Sequence, residues 1–300
     1  VSAFCFALMS ICIKFASQYF GADEIIFYRG LISMALLWWL ARRKQISLAT
    51  QFPMMHAWRS FIGVISMGFW FYSIGKLPLA TAITLNYMSS LWVASFVVGS
   101  TLLAWRPKAE GDQPSLNIPL VLTVLVGFAG VLLMLRPSMD ADQMFAGIIG
   151  LLSGLLSAFA YMQVVALSRI GEPEQRVVFY FAVGSAVAGG LSMLFTGASP
   201  FFGWHALWLI PIGILATGGQ LFMTMAYASA TTRRATLVVA NLQYSGIVFG
   251  GLASIVVFGD QIPAIGWIGM GLIVASATVI TATAGCSRVN TPSASIVLVA

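Results

Sequence analysis

Long apolar runs, separated by short polar segments, account for almost the whole chain. A helix needs roughly 20 residues to cross the hydrocarbon core of a bilayer, which is about 30 Å thick. The runs of suitable length cover residues 2–20, 24–41, 53–75, 79–104, 117–135, 145–168, 175–196, 205–229, 234–258 and 262–284. Turn residues and charges fill the breaks, as in "ARRKQ", "GKLP" and "GDQIP". The pattern predicts an all-α membrane protein with ten transmembrane helices.

Composition and charge agree with this prediction. Of the 300 residues, 59% are hydrophobic and only 8% are charged, whereas a soluble domain carries about 25% charged residues. If the N-terminus is cytoplasmic, ten Lys and Arg residues lie on the cytoplasmic side and two on the opposite side. This bias predicts a multi-pass membrane protein with both termini in the cytoplasm. The basic residues then orient helices in the lipid bilayer, and no nucleic-acid partner is expected.

An internal repeat divides the predicted spans into two groups of five. An offset of 155 residues aligns spans three and four with spans eight and nine. The identities at this offset include Gly63 with Gly218, Tyr72 with Tyr227, Asn86 with Asn241, and Ser90 with Ser245. Because five is odd, the second repeat enters the membrane from the opposite side, so the two repeats are inverted. We predict repeats at 1–136 and 143–284, followed by a cytoplasmic tail at 285–300. Inverted repeats are typical of secondary transporters whose substrate site lies near the midplane.

Several stretches of the chain resemble a known family of membrane proteins. They are "FYRGL" in the second span, "GKLPLATAITLNYMSSLWVA" across the third and fourth, "GVLLMLRP" after the fifth, "SAFAYMQVVALSRI" in the sixth, and "FGDQIPAIGWIGMGLIVAS" across the ninth and tenth. In these stretches the chain resembles the drug/metabolite transporter superfamily, EamA-type, and most of all its aromatic amino-acid exporters. The resemblance covers nearly the whole chain. A proline that the family often carries in the middle of spans four and nine is replaced here, near Leu91 and Gly246.

The resemblance implies a function and a mechanism. We expect export of aromatic and other apolar amino acids, and of related metabolites or organic cations, across the bacterial inner membrane by alternating access through a central cavity. The expected partners are a small-molecule substrate and the lipid bilayer, with a monomer as the transporting unit. No cofactor is expected.

A polar stripe on the eighth span is a candidate wall of that cavity. Thr217, Gln220, Thr224 and Tyr227 follow one another at spacings of three, four and three residues, which places them on one helical face. Unpaired polar groups are expensive in lipid, so this face should contact protein or a water-filled cavity. Hydrogen bonding between packed helices is the alternative interpretation.

Asparagines at matching places in the two repeats form a second candidate. Asn86 and Asn241 could each hold the carboxylate or the amine of an amino acid without a formal charge, or could satisfy a neighbouring helix. Their sequence neighbours Gln243 and Tyr244 have no counterparts in the first repeat. We therefore predict that Gln243 and Tyr244 contribute to substrate selectivity.

Aromatic residues deep in the spans could line a pocket for a flat or cationic substrate through their ring faces. The candidates are Trp70, Tyr72, Tyr87, Trp92 and Tyr161. Ordinary packing against lipid or protein is the alternative for each of them.

Charged residues inside the spans are rare. For Arg29 a structural role is expected, while Lys14 could either pair locally or attract a carboxylate, and Arg59 is placed near the inner interface. All nine acidic residues fall in loops or at span ends. Because proton-coupled carriers commonly keep a carboxylate or histidine inside the membrane, we predict facilitated diffusion or exchange without carboxylate-based proton coupling.

Other classes of protein fit the sequence less well. An integral membrane enzyme would need a nucleophile with its base, or a metal cluster; no catalytic residues, and no metal ligands, are predicted. A nucleotide-sugar or other metabolite carrier of the same superfamily is the closest alternative. Such a carrier should show several Lys or Arg residues in the cavity to hold phosphates.

Overall fold

The computed structural model describes residues 1–89, 91–92, 95, 118–135, 141–197, 199, 203–230, 239 and 242–286. Ten α-helices can be delimited in this part of the chain, together with one 3₁₀ helix at Trp204–Trp208, and it contains no strand. The α-helices are α1 (Ser2–Ala16), α2 (Ala22–Arg43), α3 (Pro53–Lys76), α4 (Leu79–Asn86), α5 (Ile118–Leu135), α6 (Ala141–Arg169), α7 (Glu174–Thr196), α8 (Leu209–Ser229), α9 (Ser245–Val256) and α10 (Ala264–Cys286). The all-α prediction is confirmed for these residues.

Four helical segments are long and apolar enough to cross a membrane, judged over the described residues. They are α2, α6, α7 and the continuous stretch Trp204–Ser229, which contains α8. Helices α1 and α9 are apolar but shorter. Helix α3 has 24 residues yet is less apolar, because it carries His56, Arg59 and several serines. The chain is therefore a multi-pass membrane protein, and the full set of ten spans stays a prediction.

Small residues allow the helices to approach one another closely. A Cβ atom added at Gly30 of α2 would lie 2.6 Å from the Ala186 backbone nitrogen of α7. A Cβ atom at Gly189 of α7 would lie 2.7 Å from the Phe27 nitrogen of α2. Backbone therefore meets backbone along α2 and α7, and larger residues would separate the two helices.

The helix pairs that pack most extensively join the first half of the chain to the second. Helix α3 packs on α6, α1 on α8, α2 on α7, and α5 on α10. Helix α2 also contacts α8, α3 contacts α7, α4 contacts both α6 and α9, and α1 contacts α9. The centre of the bundle consequently lies where α1–α4 meet α6–α9.

Polar contacts at one end of the bundle fix the start of α4. The Asp260 carboxylate, in the segment between α9 and α10, accepts hydrogen bonds from the Leu79 backbone N–H at 3.3 Å and from Ser254 Oγ at 2.6 Å. Ser254 Oγ also accepts from the Ala80 N–H at 3.4 Å. The first N–H groups of a helix have no partner within it, so Asp260 and Ser254 supply that partner here and position α4 against α9.

Candidate substrate cavity

A small cavity of about 50 Å³ lies at the centre of the bundle. Its walls come from α1, α2, α3, α6, α7, α8 and the end of α4. Pockets that hold drug-sized ligands measure roughly 300–1,000 Å³, so this structure leaves little free space around the central polar groups. Five of the residues predicted to line a cavity do so here: Trp70, Asn86, Tyr87, Tyr161 and Gln220. Arg29, for which a structural role was expected, also lines it.

Two buried arginines meet at this cavity. Arg29 of α2 and Arg59 of α3 are each only 3% exposed. Their helices begin at opposite ends of the bundle, and each arginine lies about 10 Å from the start of its helix at 1.5 Å per residue. Both guanidinium groups lie against the ring of Phe181, with their Cζ atoms 5.4 Å and 4.3 Å from the ring centroid.

No carboxylate forms an ion pair with Arg29 or Arg59 in the part of the chain that the structure describes. Arg29 Nη1 donates to Met67 Sδ at 2.8 Å, and a thioether is a weak acceptor. Arg29 Nε, Arg59 Nε and Arg59 Nη1 have no hydrogen-bond partner among the described residues. The cavity therefore concentrates positive charge and free donors without a counter-charge from the described protein.

Neutral polar groups at or beside the cavity are also unsatisfied. Trp70 Nε1, Gln220 Oε1 and Thr224 Oγ1 are buried and have no partner within the described ranges. Such groups are uncommon in native proteins because each costs about 1–3 kcal/mol when it is desolvated without a hydrogen bond. Each of these groups retains the capacity to form a hydrogen bond with a polar ligand or with water.

Asn86 serves mainly as a link between helices. Its Nδ2 donates to Ser153 Oγ at 3.0 Å and to Ser157 Oγ at 3.3 Å, both on α6. A Cβ atom at Gly154 would come within 2.5 Å of the Leu85 carbonyl oxygen, so this glycine lets α4 end against α6. Of the two alternatives for Asn86, the structure supports the scaffold, although the side chain also borders the cavity.

The polar stripe of α8 divides between the two predicted roles. Thr217 Oγ1 donates to Ser33 Oγ at 2.9 Å, which is a hydrogen bond between helices. Gln220 lines the cavity. Tyr227 stacks on Tyr161 of α6 with ring centroids 5.7 Å apart, and Gln243 Nε2 donates to its hydroxyl at 3.5 Å. Tyr244 is also buried, at 4% exposure.

Several residues predicted to line the cavity lie elsewhere. Tyr72 is 38% exposed and lines a separate, mostly apolar groove of about 430 Å³. Trp92 packs edge-on against Phe128 of α5 with centroids 5.1 Å apart. Lys14 Nζ donates to the Leu77 carbonyl at 2.5 Å, at the end of α3, where a cation is favoured by the helix dipole. The placement of Tyr72 and Trp92 is corrected accordingly, because each packs outside the centre. For Lys14, left open between local pairing and attraction of a carboxylate, the structure shows a local contact.

The predictions for Asn241 and for Ser90, the counterpart of Ser245 in the predicted repeat, lie outside the described residues. Ser245 is exposed, and its hydroxyl donates to the Leu242 carbonyl of the same segment at 2.8 Å.

The prediction that Arg59 lies near the inner interface was wrong. Its side chain extends along its own helix towards the bundle centre, because Gly63, one turn further on, has no side chain to block it. A Cβ atom at Gly63 would overlap Arg59 Nη1. The signal in the sequence was a glycine four residues after an arginine on an otherwise apolar helix.

Comparisons with known proteins point to membrane transport. No family model matches the chain. It is 28% identical over 256 residues to an uncharacterized transporter of Helicobacter pylori, covering 82% of this chain and 80% of that protein. It is 29% identical over 250 residues to the pseudopaline exporter CntI of Pseudomonas aeruginosa, covering 83% and 82%. Solute carrier family 35 member G1 of Homo sapiens is 26% identical over 234 residues, covering 74% and 60%.

A solved crystal structure shares the fold. It superposes with a TM-score of 0.60 over 95% of this chain and 98% of the other, at 20% sequence identity. At that identity the likeness concerns the fold alone. The sequence relatives are transporters by name, which agrees with the resemblance to the drug/metabolite transporter superfamily. The chain is thus similar to membrane transporters, which argues against an enzyme.

Proposed function

We propose that the chain is a secondary transporter of the drug/metabolite superfamily, EamA-type, which exports small amphiphilic metabolites across the bacterial inner membrane by alternating access. The observation that carries this proposal is the central cavity, whose polar and aromatic walls come from both halves of the chain. A polar chamber in the middle of an apolar bundle is costly unless it binds something. One relative is named an exporter, and this supports export as the direction.

The pattern of helix packing supports an inverted repeat. The test is to exchange each helix for its predicted repeat counterpart: α1 with α6, α2 with α7, and so on to α5 with α10. This exchange turns the α3–α6 contact into the α8–α1 contact, and α4–α6 into α9–α1, and all four contacts are observed. The same exchange turns α2–α8 into α7–α3 and leaves α2–α7, α4–α9 and α5–α10 unchanged. A bundle built from two related halves would have this property. Rocking of one half against the other would then expose the central cavity to each side in turn.

Amino acids with aromatic side chains are the first substrates to test. Trp70, Tyr87 and Tyr161 offer ring surfaces at the cavity, and aromatic pairs add about 0.5–1.5 kcal/mol to the burial of the rings. Gln220 offers an unsatisfied acceptor for an amine. A substrate that carries both a ring and polar groups would match these walls.

The central cavity offers no carboxylate for proton coupling among its lining residues. Glu24, although buried, already accepts hydrogen bonds from the Ser199 N–H at 2.6 Å and Ser199 Oγ at 2.7 Å at the start of α2. We therefore propose facilitated diffusion or exchange. Counterflow in proteoliposomes should persist when the pH gradient is collapsed with an ionophore.

The test is a counterflow panel in proteoliposomes that hold a preloaded solute. Labelled phenylalanine should accumulate transiently when phenylalanine or tyrosine is preloaded, and empty liposomes should not show this. Tyr161→Ala should reduce the signal at least about tenfold, whereas Tyr72→Ala, on the separate groove, should retain it. Folded yield is checked for both variants by gel filtration. Equal losses in the two variants, or no counterflow with any amino acid, would overturn the proposal.

A further inference from the structure

We propose that Arg29 and Arg59 form an anion-binding subsite that holds the carboxylate of the transported solute. This inference rests on the proposed function, since it names the chemical class of substrate for the same cavity. The observation behind it is the pair of buried guanidinium groups on either side of the bundle centre, both packed on Phe181.

Two buried positive charges without a counter-charge are costly. Removing a charge from water costs several kcal/mol even after the protein relaxes, and intramembrane charges mark ligand pathways for this reason. Three acidic residues at or near the ends of α2 and α7 are engaged elsewhere: Asp23 accepts from Thr196 Oγ1 at 2.5 Å, Glu24 from Ser199, and Glu172 from Arg176. No described carboxylate forms an ion pair with either guanidinium group, and we assign the missing negative charge to a ligand.

The unsatisfied atoms specify what that ligand offers. Arg29 Nε, Arg59 Nε, Arg59 Nη1 and Trp70 Nε1 are all donors, while Gln220 Oε1 is an acceptor. Four donors call for an oxygen-rich acceptor, and a guanidinium matches a carboxylate through two parallel hydrogen bonds. The Gln220 oxygen can in turn accept from an ammonium group. A solute with a carboxylate and an amine satisfies more of these atoms than inorganic phosphate does.

Phe181 and Gly63 determine where the two guanidinium groups lie before a ligand binds. The ring face of Phe181 attracts both guanidinium groups while no anion is bound. The missing side chain at Gly63 leaves Arg59 the space to reach the cavity. The ring contacts orient the guanidinium groups without using their N–H groups. Arg29 Nε, Arg59 Nε and Arg59 Nη1 therefore remain available to hydrogen-bond the ligand.

Binding is measured as the rise in melting temperature of the purified protein in detergent, because a ligand that binds the folded state stabilises it. The probes are phenylalanine, 3-phenylpropionate without the amine, 2-phenylethylamine without the carboxylate, and sodium phosphate. The two carboxylates should raise the melting temperature, phenylalanine more than 3-phenylpropionate, and 2-phenylethylamine should not. Stabilisation by phosphate without stabilisation by either carboxylate would overturn the carboxylate assignment.

Substitutions then locate the subsite. Arg29→Gln and Arg59→Gln should each weaken carboxylate binding about 10- to 100-fold, as expected for the loss of a charged hydrogen-bond partner. Arg42→Gln, the same change at the exposed end of α2, serves as the matched control and should bind normally. Without ligand, the two cavity variants should melt at the wild-type temperature or above it, because removing an unpaired buried charge removes a destabilising cost. Removal of an arginine that stabilises the fold would instead lower the melting temperature.

The outcomes separate the subsite from the proposed function. Arginine-dependent carboxylate binding without transport would support the subsite and contradict the transporter. Amino-acid transport that is unchanged in both Gln variants would support the transporter and overturn the subsite. A marked fall in the ligand-free melting temperatures of both variants would also overturn the subsite. If a Gln variant does not fold, Arg59→Lys is used, because it keeps the positive charge but loses the planar guanidinium that forms two parallel hydrogen bonds. A normally folded Arg59→Lys protein with weaker carboxylate binding would support the subsite, and unchanged binding would overturn it.

Discussion

Gly63 controls the position of the Arg59 guanidinium group, and one methyl group is enough to test this. A Cβ atom at Gly63 would overlap Arg59 Nη1 and would lie 2.8 Å from Phe181 Cε2. The end of an arginine is flexible, so we expect Gly63→Ala to fold and to displace the guanidinium from the cavity. Transport in proteoliposomes should fall about tenfold, in line with the loss of a charged hydrogen bond.

Gly218 on α8 provides the control for this prediction. A Cβ atom at Gly218 meets no atom of the described residues within 4 Å, so Gly218→Ala should transport at the wild-type rate. Equal rates in the two alanine variants, at equal folded yield, would show that Arg59 does not depend on the space at Gly63.

Residue patterns predicted the chemistry of the cavity better than its geometry. The sequence identified Trp70, Tyr87, Tyr161 and Gln220 as cavity residues because polar and aromatic side chains are conspicuous on apolar helices. It could not place Arg59, because the depth of an arginine depends on where its long side chain extends. That direction is set by Gly63 and by Phe181 on another helix, a contact that no local pattern contains.

At the scale of the helices, buried carboxylates tie helix starts to distant loops. Glu24 near the start of α2 binds Ser199, and Glu172, just before α7, accepts from Thr50 Oγ1 at 2.8 Å. Arg176 Nη1 donates to the same Glu172 carboxylate at 3.0 Å and connects it through its other nitrogens to the Ser47 carbonyl. The segments before α3 and α8 are thereby fastened to the helices that pack across the bundle centre.

The Glu172 cluster makes stability depend on pH. Burial by itself raises the pKa of Glu172, but hydrogen bonds from Thr50 and Arg176, with the Arg176 charge, outweigh it and hold the pKa below the ordinary value. A carboxyl whose pKa is lower in the folded state stabilises the protein fully above its unfolded pKa, about 4.3. That contribution is lost as the pH falls through the folded pKa.

We therefore expect the melting temperature of the wild type to fall more steeply below about pH 4 than that of Glu172→Gln. The variant should already be less stable at pH 7, because its neutral amide cannot replace the charged bond to Arg176. Thermal unfolding followed across pH 3.5 to 7 measures both effects. Parallel pH curves for the two proteins would contradict the role of Glu172.

At the scale of the whole molecule, the hydrophobic pattern predicted the all-α fold, and the bounds of most predicted spans agree with helices in the described residues. Residues that align at the predicted 155-residue offset do not all have matching environments in the structure. Tyr72 and Tyr227 align at the 155-residue offset, yet one is 38% exposed and the other 4%. Gly63 is crowded and Gly218 is open. In apolar helices a shift of one or two residues changes few identities but turns a side chain from the core to the surface.

The most direct test of the central claim asks whether the buried cavity opens to each side in turn. Ala160 lines the cavity and is 3% exposed, so Ala160→Cys, with Cys5, Cys12 and Cys286 replaced by serine, puts one thiol there. In oriented membrane vesicles, a membrane-impermeant thiol reagent should label this cysteine from either side, and a transported amino acid should change the labelling rates on the two sides. Labelling from one side only, whatever the solute, would contradict alternating access through this cavity.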